Sequence, residues 1–186
     1  MEIVSIFDEC LYSCQTQNGD EIGDELFDFL YRIIDIKWLR EFFDNNISDL
    51  QNGIYGIITR DEAIKLTIEE ANTFRKKLLG IKNLPIDEKK KAIEVLFRPL
   101  TNTESIVTKL QKSKAKGPRH KSWLRLYGIK VEYGVYVITG GTIKLTDIMD
   151  AKQHTRDELS KLSLCRDYLI SEDIIDCDSF VEFLNG

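Results

Sequence analysis

The sequence predicts an α+β fold: a twisted, meandering antiparallel sheet with helices before it and a C-terminal helix after it. Three observations carry this. Residues Trp123 to Glu132 and Val135 to Thr139 alternate in the two-residue rhythm of strands around Tyr133-Gly134, which reads as a tight turn. From Asp24 to Phe43 apolar residues recur at three- and four-residue steps, the rhythm of a helix that buries one side. Thr59 with Glu62, and Thr155 with Glu158, have the spacing of capping boxes. Strands follow one another instead of alternating with helices, which points to α+β and away from a parallel βαβ sheet.

Taken in order, Ile3 to Tyr12 reads as a strand and Gln15 to Asp20 as the turn that ends it. Leu26, Phe27, Leu30, Ile33, Ile34, Trp38, Leu39, Phe42 and Phe43 define an amphipathic helix, or two that meet near Asp35. A helix opens after Thr59 and is expected to run to Leu79 and stop at Gly80. Another spans Glu88 to Phe97, because Pro99 disfavours helical geometry in the residue before it. Ser105 to Leu110 fits a strand, and Lys112 to Lys121 a basic Gly-Pro loop. After the hairpin, Gly140-Gly141 suggests a bulge before Thr142 to Thr146 resumes the strand. Thr155 starts a helix with Leu159, Leu162, Cys165, Tyr168 and Leu169 on one side, and Ser179 to Leu184 closes the chain.

The 186 residues suit one domain, here divided into a strand plus acidic helical extension over 1–95 and the sheet with its C-terminal helices over 96–186. With 42% hydrophobic and 31% charged residues, the composition excludes disorder, collagen-like repeats and a coiled coil. Cys10, Cys14, Cys165 and Cys177 show no C-x-x-C pair and read as buried thiols. No apolar run approaches the ~18 residues of a spanning helix, and the acidic opening residues do not suit a signal peptide. Cytoplasmic residence, with no membrane association, is the expectation.

Charge is partitioned along the chain. Residues 1–70 carry a balance of −11, residues 71–130 one of +12, and residues 131–186 one of −6. The basic middle suits an anionic partner such as nucleic acid, or internal pairing with the acidic ends, or a solvated Lys-rich surface. Walker, G-x-G-x-x-G, H-E-x-x-H and G-x-S-x-G motifs are absent, and two histidines are too few for a histidine-rich metal site. Neither metal nor cofactor is expected.

Lys112, Lys114, Lys116, Arg119, His120 and Lys121 lead into a strand that carries Trp123, Arg125 and Tyr127 on one face. Cations neutralise phosphates and aromatic rings stack on bases, the combination that single-stranded RNA requires. Equally, Trp123 and Tyr127 fit the core face of a sheet, with Arg125 as a structural partner at its edge.

The runs L-R-L-Y-G-I-K-V (Leu124 to Val131), V-I-T-G-G-T-I-K-L-T (Val137 to Thr146) and H-T-R-D-E-L-S-K-L (His154 to Leu162) resemble the C-terminal half of the RelE/ParE/HigB-like toxin superfamily, in particular its phage-associated HigB-like branch. F-R-P-L (Phe97 to Leu100) is similar to the segment before that family's first sheet strand. The resemblance covers about residues 96–170. It implies a ribosome-dependent mRNA endonuclease held inactive by an antitoxin. In that reading Arg125 and Lys144 stabilise the charged transition state, and His154 or His120 moves the proton. The departures are a glycine, Gly140, where many members carry a histidine, and a preceding strand that offers Lys109 or Lys112 instead of arginine. The alternative keeps the fold without the chemistry, as a regulator or phage-encoded inhibitor acting on a protein partner. A third possibility has the acidic N-terminal segment covering the basic middle and silencing it.

Overall fold

A computed structural model describes residues 1–7, 9–18, 21–52, 54–100, 110–119, 121–148 and 151–186. Three strands open the chain, β1 (Ile3–Phe7), β2 (Leu11–Asn18) and β3 (Glu21–Asp24). Five helices follow: α1 (Glu25–Arg32), α2 (Ile36–Asn45), α3 (Ile47–Gln51), α4 (Arg60–Lys82) and α5 (Ile86–Leu96). The second half holds β4 (Phe97–Pro99), β5 (Gln111–Lys116), β6 (Leu124–Glu132) and β7 (Val135–Ile143), then α6 (Gln153–Ser171) and α7 (Cys177–Asn185).

The fold is mixed α+β, and the sheet is mixed as well. Its order is β1-β2-β7-β6-β5-β4, with β3 paired to β2. The β5-β6-β7 meander is antiparallel as expected, but β2 enters beside β7 in parallel, Leu11 to Ser13 against Tyr136 to Ile138. This corrects the wholly antiparallel expectation. The expected single strand Ile3 to Tyr12 is split by a turn at Glu9-Cys10 into the antiparallel β1 and β2, and the polar stretch Gln15 to Asn18, expected as a turn, continues β2 into a hairpin with β3.

Local chemistry explains the helix starts. Asp24 accepts the Phe27 N–H at 2.9 Å, Asp35 accepts those of Lys37 and Trp38, and Thr59 and Glu62 form a reciprocal capping box. Asp35 therefore divides two helices where the apolar period ran on. α4 does not stop at Gly80 but runs to Lys82, because a glycine inside a helix costs only about 1 kcal/mol and Phe74, Leu78 and Ile81 keep that face buried.

Helices cover both faces of the sheet. Phe29, Leu39, Phe43 and Phe74 of α1, α2 and α4, with Ile33 at the C-cap of α1, pack on Leu11, Leu126 and Ile138 on one side. Leu162, Cys165 and Leu169 of α6, with Phe180 of α7, pack on Tyr12, Tyr127, Ile129 and Val137 on the other. Both faces of β6 and all of β7 are consequently buried, apart from the half-buried Lys130 and the exposed Glu132. The acidic N-terminal third supplies one of these core layers, so it is structural and not a removable cover. Glu94 of α5 holds the tip of the β6–β7 hairpin by pairing with Lys130 and accepting the Gly134 N–H at 3.0 Å and the Tyr136 hydroxyl at 3.1 Å. Cys10, Cys14 and Cys165 are buried free thiols, and Cys177 is partly buried. Among the described residues no helix is long and apolar enough to cross a membrane.

Candidate functional site

β5 is the largest departure from expectation around the site, since the basic stretch forms a strand and not a loop. Gln111, Ser113 and Ala115 turn to the α4–α5 side and are buried, which leaves Lys112, Lys114 and Lys116 alternating on the α6 side. The ladder places Lys116 opposite Arg125, Lys114 opposite Tyr127, and Arg125 opposite Thr142 of β7. Lys144 follows the end of β7, its N–H bonded to the Trp123 carbonyl at 2.8 Å. Lys114, Lys116, Arg125 and Lys144 thus gather at one end of the β5-β6-β7 meander, while Lys112, opposite Ile129, lies four residues away along β5 on the same face. Among the described residues none of the five forms an ion pair with a carboxylate.

Their hydrogen bonds go to neutral oxygens instead. Arg125, 8% exposed, donates from Nη1 to the carbonyls of Ser122 at 2.7 Å and Leu124 at 2.8 Å. Lys112 donates to Ser163 Oγ, Lys114 to the Leu100 carbonyl and Lys144 to the Asp147 carbonyl. Burial, then Lys116 and Arg125, hold the Lys114 amine below the usual lysine range. Burial and then Arg125 lower Lys144 in the same way, with Lys114 and Lys116 adding to it and Asp147 opposing. The cations therefore act on one another, and Lys144 loses its proton more readily than an exposed lysine.

Other expected residues lie elsewhere. Trp123 and Tyr127 are both 0% exposed and offer no ring face to a base, which corrects their assignment as stacking platforms. Trp123 Nε1 donates to Thr67 Oγ1 at 3.0 Å, and its ring meets Phe43 and Tyr55 edge-on. Tyr127 fills the core beneath α6, where burial first and Glu158 next push its hydroxyl up. The Arg119 guanidinium lies 4.9 Å over the Trp123 ring, toward α4 and away from the strip. Lys121 is exposed beside the strand, and His120 lies outside the described residues.

His154 is not brought to the cations. Its ring stands edge-on to Phe42 of α2 at 5.2 Å, and Nε2 donates to the Ile143 carbonyl at 3.1 Å. That bond leaves Nδ1 as an acceptor, while burial first and Lys152 next hold the ring below the usual histidine range. Ser163, the partner of Lys112, is nine residues on and on the opposite side of α6, and what His154 reaches near the strip is the backbone carbonyl of Ile143, beside Lys144.

His154 instead lines a cleft of about 430 Å³ between α1, α2 and α6. The cleft lies where β2 leaves β7 after Ser13, so that Gly140-Gly141 of β7 are no longer paired with β2 and are covered by side chains of α1 and α6 instead. The expected bulge is there, with Thr139 as the unpaired residue. Arg32 donates to the Gly141 carbonyl at 2.9 Å and lies 5.5 Å over the Trp38 ring, which stacks on Phe42 at 5.1 Å. The Glu158 side chain is 6% exposed and sits against Gly140, where a Cβ would strike its Oε2. Lys161 bonds Glu25 at 2.7 Å and reaches Glu158 Oε1 only at 3.6 Å, while Glu158 Oε2 has no hydrogen-bond partner among the described residues. Burial pushes the Glu158 carboxyl up to about 7, opposed by Lys161 and reinforced by Glu25.

Glu158 was expected to cap α6, but Lys152 holds the N-cap position and Thr155 Oγ donates to the Lys152 carbonyl. The recurrence of His154, Glu158 and Lys161 at four and then three residues was the available signal for this side of the cleft. No family model, curated protein or solved structure matches the chain.

Proposed function

We propose that the chain is an RNA-binding protein of the toxin type, with the cation strip of β5, β6 and β7 as its RNA site and mRNA cleavage on the ribosome as its activity. The observation that supports this is the gathering of Lys114, Lys116, Arg125 and Lys144, with Lys112 farther along the same face of β5, without a carboxylate partner among the described residues. Such a cluster is stabilised when phosphates supply the missing charge.

In this reading the RNA's own 2′-hydroxyl attacks the adjacent phosphorus, the P–O5′ bond breaks and the departing 5′-oxygen takes a proton from solvent water, giving a 2′,3′-cyclic phosphate and a 5′-hydroxyl. Lys116 and Arg125 offset the charge that builds on the phosphorane oxygens. Lys144, whose lowered proton affinity comes from burial and its cationic neighbours, takes the hydroxyl proton in place of His154. An antitoxin would silence the protein by occupying the strip. One observation favours the non-catalytic alternative, an interaction protein on the same fold: the Arg125 guanidinium is already bound to two carbonyls.

The test is induced expression of wild type, Lys116→Ala/Lys144→Ala and Arg125→Lys, following growth and the integrity of cellular mRNA, with binding of a labelled single-stranded RNA at several salt concentrations. Growth arrest with mRNA cleavage, lost in the double variant, is expected. Removing two phosphate contacts should also reduce the salt slope of binding by about 1.4. RNA affinity that is unchanged in the double variant would overturn the assignment of the site. Binding without cleavage would leave the interaction protein.

A further inference from the structure

Two of the four free thiols touch. Cys14 of β2 and Cys165 of α6 stand 151 residues apart in the chain, yet the Cys14 S–H donates to the Cys165 Sγ at 3.6 Å. Both side chains lie in the core layer between the sheet and α6, with Tyr12, Leu162 and Leu169. Neither belongs to the cation strip or to the cleft.

The pair is close to bonding distance. A disulfide holds its sulfurs about 2.0 Å apart, so each sulfur here has about 0.8 Å to travel, which a χ1 rotation of roughly 30° supplies. Access differs between the two. Cys165 is 0% exposed, and its contact with Cys14 first and burial next push its thiol above the usual range. It therefore stays protonated and out of reach of an oxidant in solution. Cys14 is 6% exposed, and the Sδ of Met1, a residue outside any strand and 50% exposed, lies 3.7 Å from it. An oxidant that reaches this pair meets Cys14 first, with Cys165 already in place to resolve the product.

We propose that Cys14 and Cys165 are a redox modification site, closed to a disulfide by a peroxide and so tethering α6 to β2. The Cys14 sulfur attacks one peroxide oxygen, the O–O bond breaks, and the departing oxygen takes the thiol proton; a sulfenic acid and water result. The Cys165 sulfur then attacks the sulfenic sulfur. The S–S bond forms, the S–O bond breaks, and the leaving hydroxide takes the Cys165 proton as a second water. Two thiols are oxidised by two electrons, and one peroxide is reduced to two waters. A dithiol reductant reverses the step by exchange. The closed loop spans α1 to α5, so the tether restricts the unfolded chain over most of its length. None of this rests on the RNA reading.

The experiment uses the full chain, reduced, freed of reductant and exposed to hydrogen peroxide at neutral pH without denaturant. Thiols are counted with a chromogenic disulfide reagent after unfolding, and peptides from a digest made without reductant are identified by mass spectrometry. The count should fall from four to two, with the Cys14 and Cys165 peptides joined and lighter by two hydrogens. Dithiothreitol should restore all four, and the oxidised chain should unfold at a higher urea concentration than the reduced one. Cys177→Ser, at the partly exposed cysteine, keeps the core intact and should fall from three thiols to one. Cys14→Ala should lose both the joined peptides and the shift in urea midpoint. Four remaining thiols would overturn the proposal, as would oxidation confined to Cys177 or joined peptides other than these two. A cross-link that forms only in urea above the unfolding midpoint would also overturn it, because the folded contact would then not be its cause. An unchanged urea midpoint in the joined chain would overturn the tether.

Discussion

Replacing Glu158 with Gln should make the protein more stable, and increasingly so as pH rises. The folded chain holds this carboxyl at about 7, against an ordinary value of 4.5. Well below pH 4.5 the group is protonated in both folded and unfolded chains and contributes no difference. Between pH 4.5 and 7 the unfolded chain gives up its proton first, so the native state loses stability as pH rises. Above pH 7 the folded chain carries the full cost of an ionised, poorly partnered carboxylate, roughly 3 kcal/mol from the separation of the two values. Glutamine preserves the shape of the side chain and does not ionise. Urea denaturation of wild type and Glu158→Gln at pH 4, 5, 6, 7 and 8, followed by circular dichroism, should give curves closest together at pH 4, with the pH-dependent difference growing to roughly 3 kcal/mol at pH 8. A difference that does not change with pH would refute the reasoning, because it would place the carboxyl at its ordinary value despite its burial.

Three further outcomes are expected. Glu94→Ala removes the acceptor of the Gly134 N–H and the Tyr136 hydroxyl, and should cost roughly 2 kcal/mol and accelerate amide exchange at the hairpin tip. Gly140→Ala should lower the melting temperature, since φ is +151° and a Cβ there would strike Glu158 Oε2; a double-mutant cycle with Glu158→Ala should recover part of the loss. Thr59→Ala, which dismantles the capping box of α4, should cost about 1 kcal/mol by chemical denaturation.

Much of this architecture was legible in the residues because the responsible forces are local. The β6–β7 hairpin and the start of α4 rest on alternation, a turn and a cap, all within a few positions of one another. β5 was not legible, because its buried face is Gln111, Ser113 and Ala115, and a strand whose inward residues are small or polar lacks the apolar alternation that marks one. Glu158 misled for a related reason. Its spacing from Thr155 fits a cap, yet only the tertiary contact with Gly140 decides where the carboxylate goes. The cation strip was half legible, as a basic run beside Arg125, although its aromatic neighbours turned out to be core. The cleft was beyond reach, since its walls come from α1, α2, β7 and α6 and meet only after the sheet has assembled.

The pairing of β2 with β7 has a consequence for how the chain is made. Leu11, Tyr12 and Ser13 leave the ribosome early, but the strand that flanks them in the sheet, Tyr136 to Ile138, is synthesised only after the intervening helices. Closing so long a loop is slow relative to forming a helix or hairpin. The amino-terminal strands must therefore wait, paired only among themselves, with one side of β2 open. Until β7 arrives, that open side is the most exposed template for pairing with another chain, and it is where a chaperone would have most to protect.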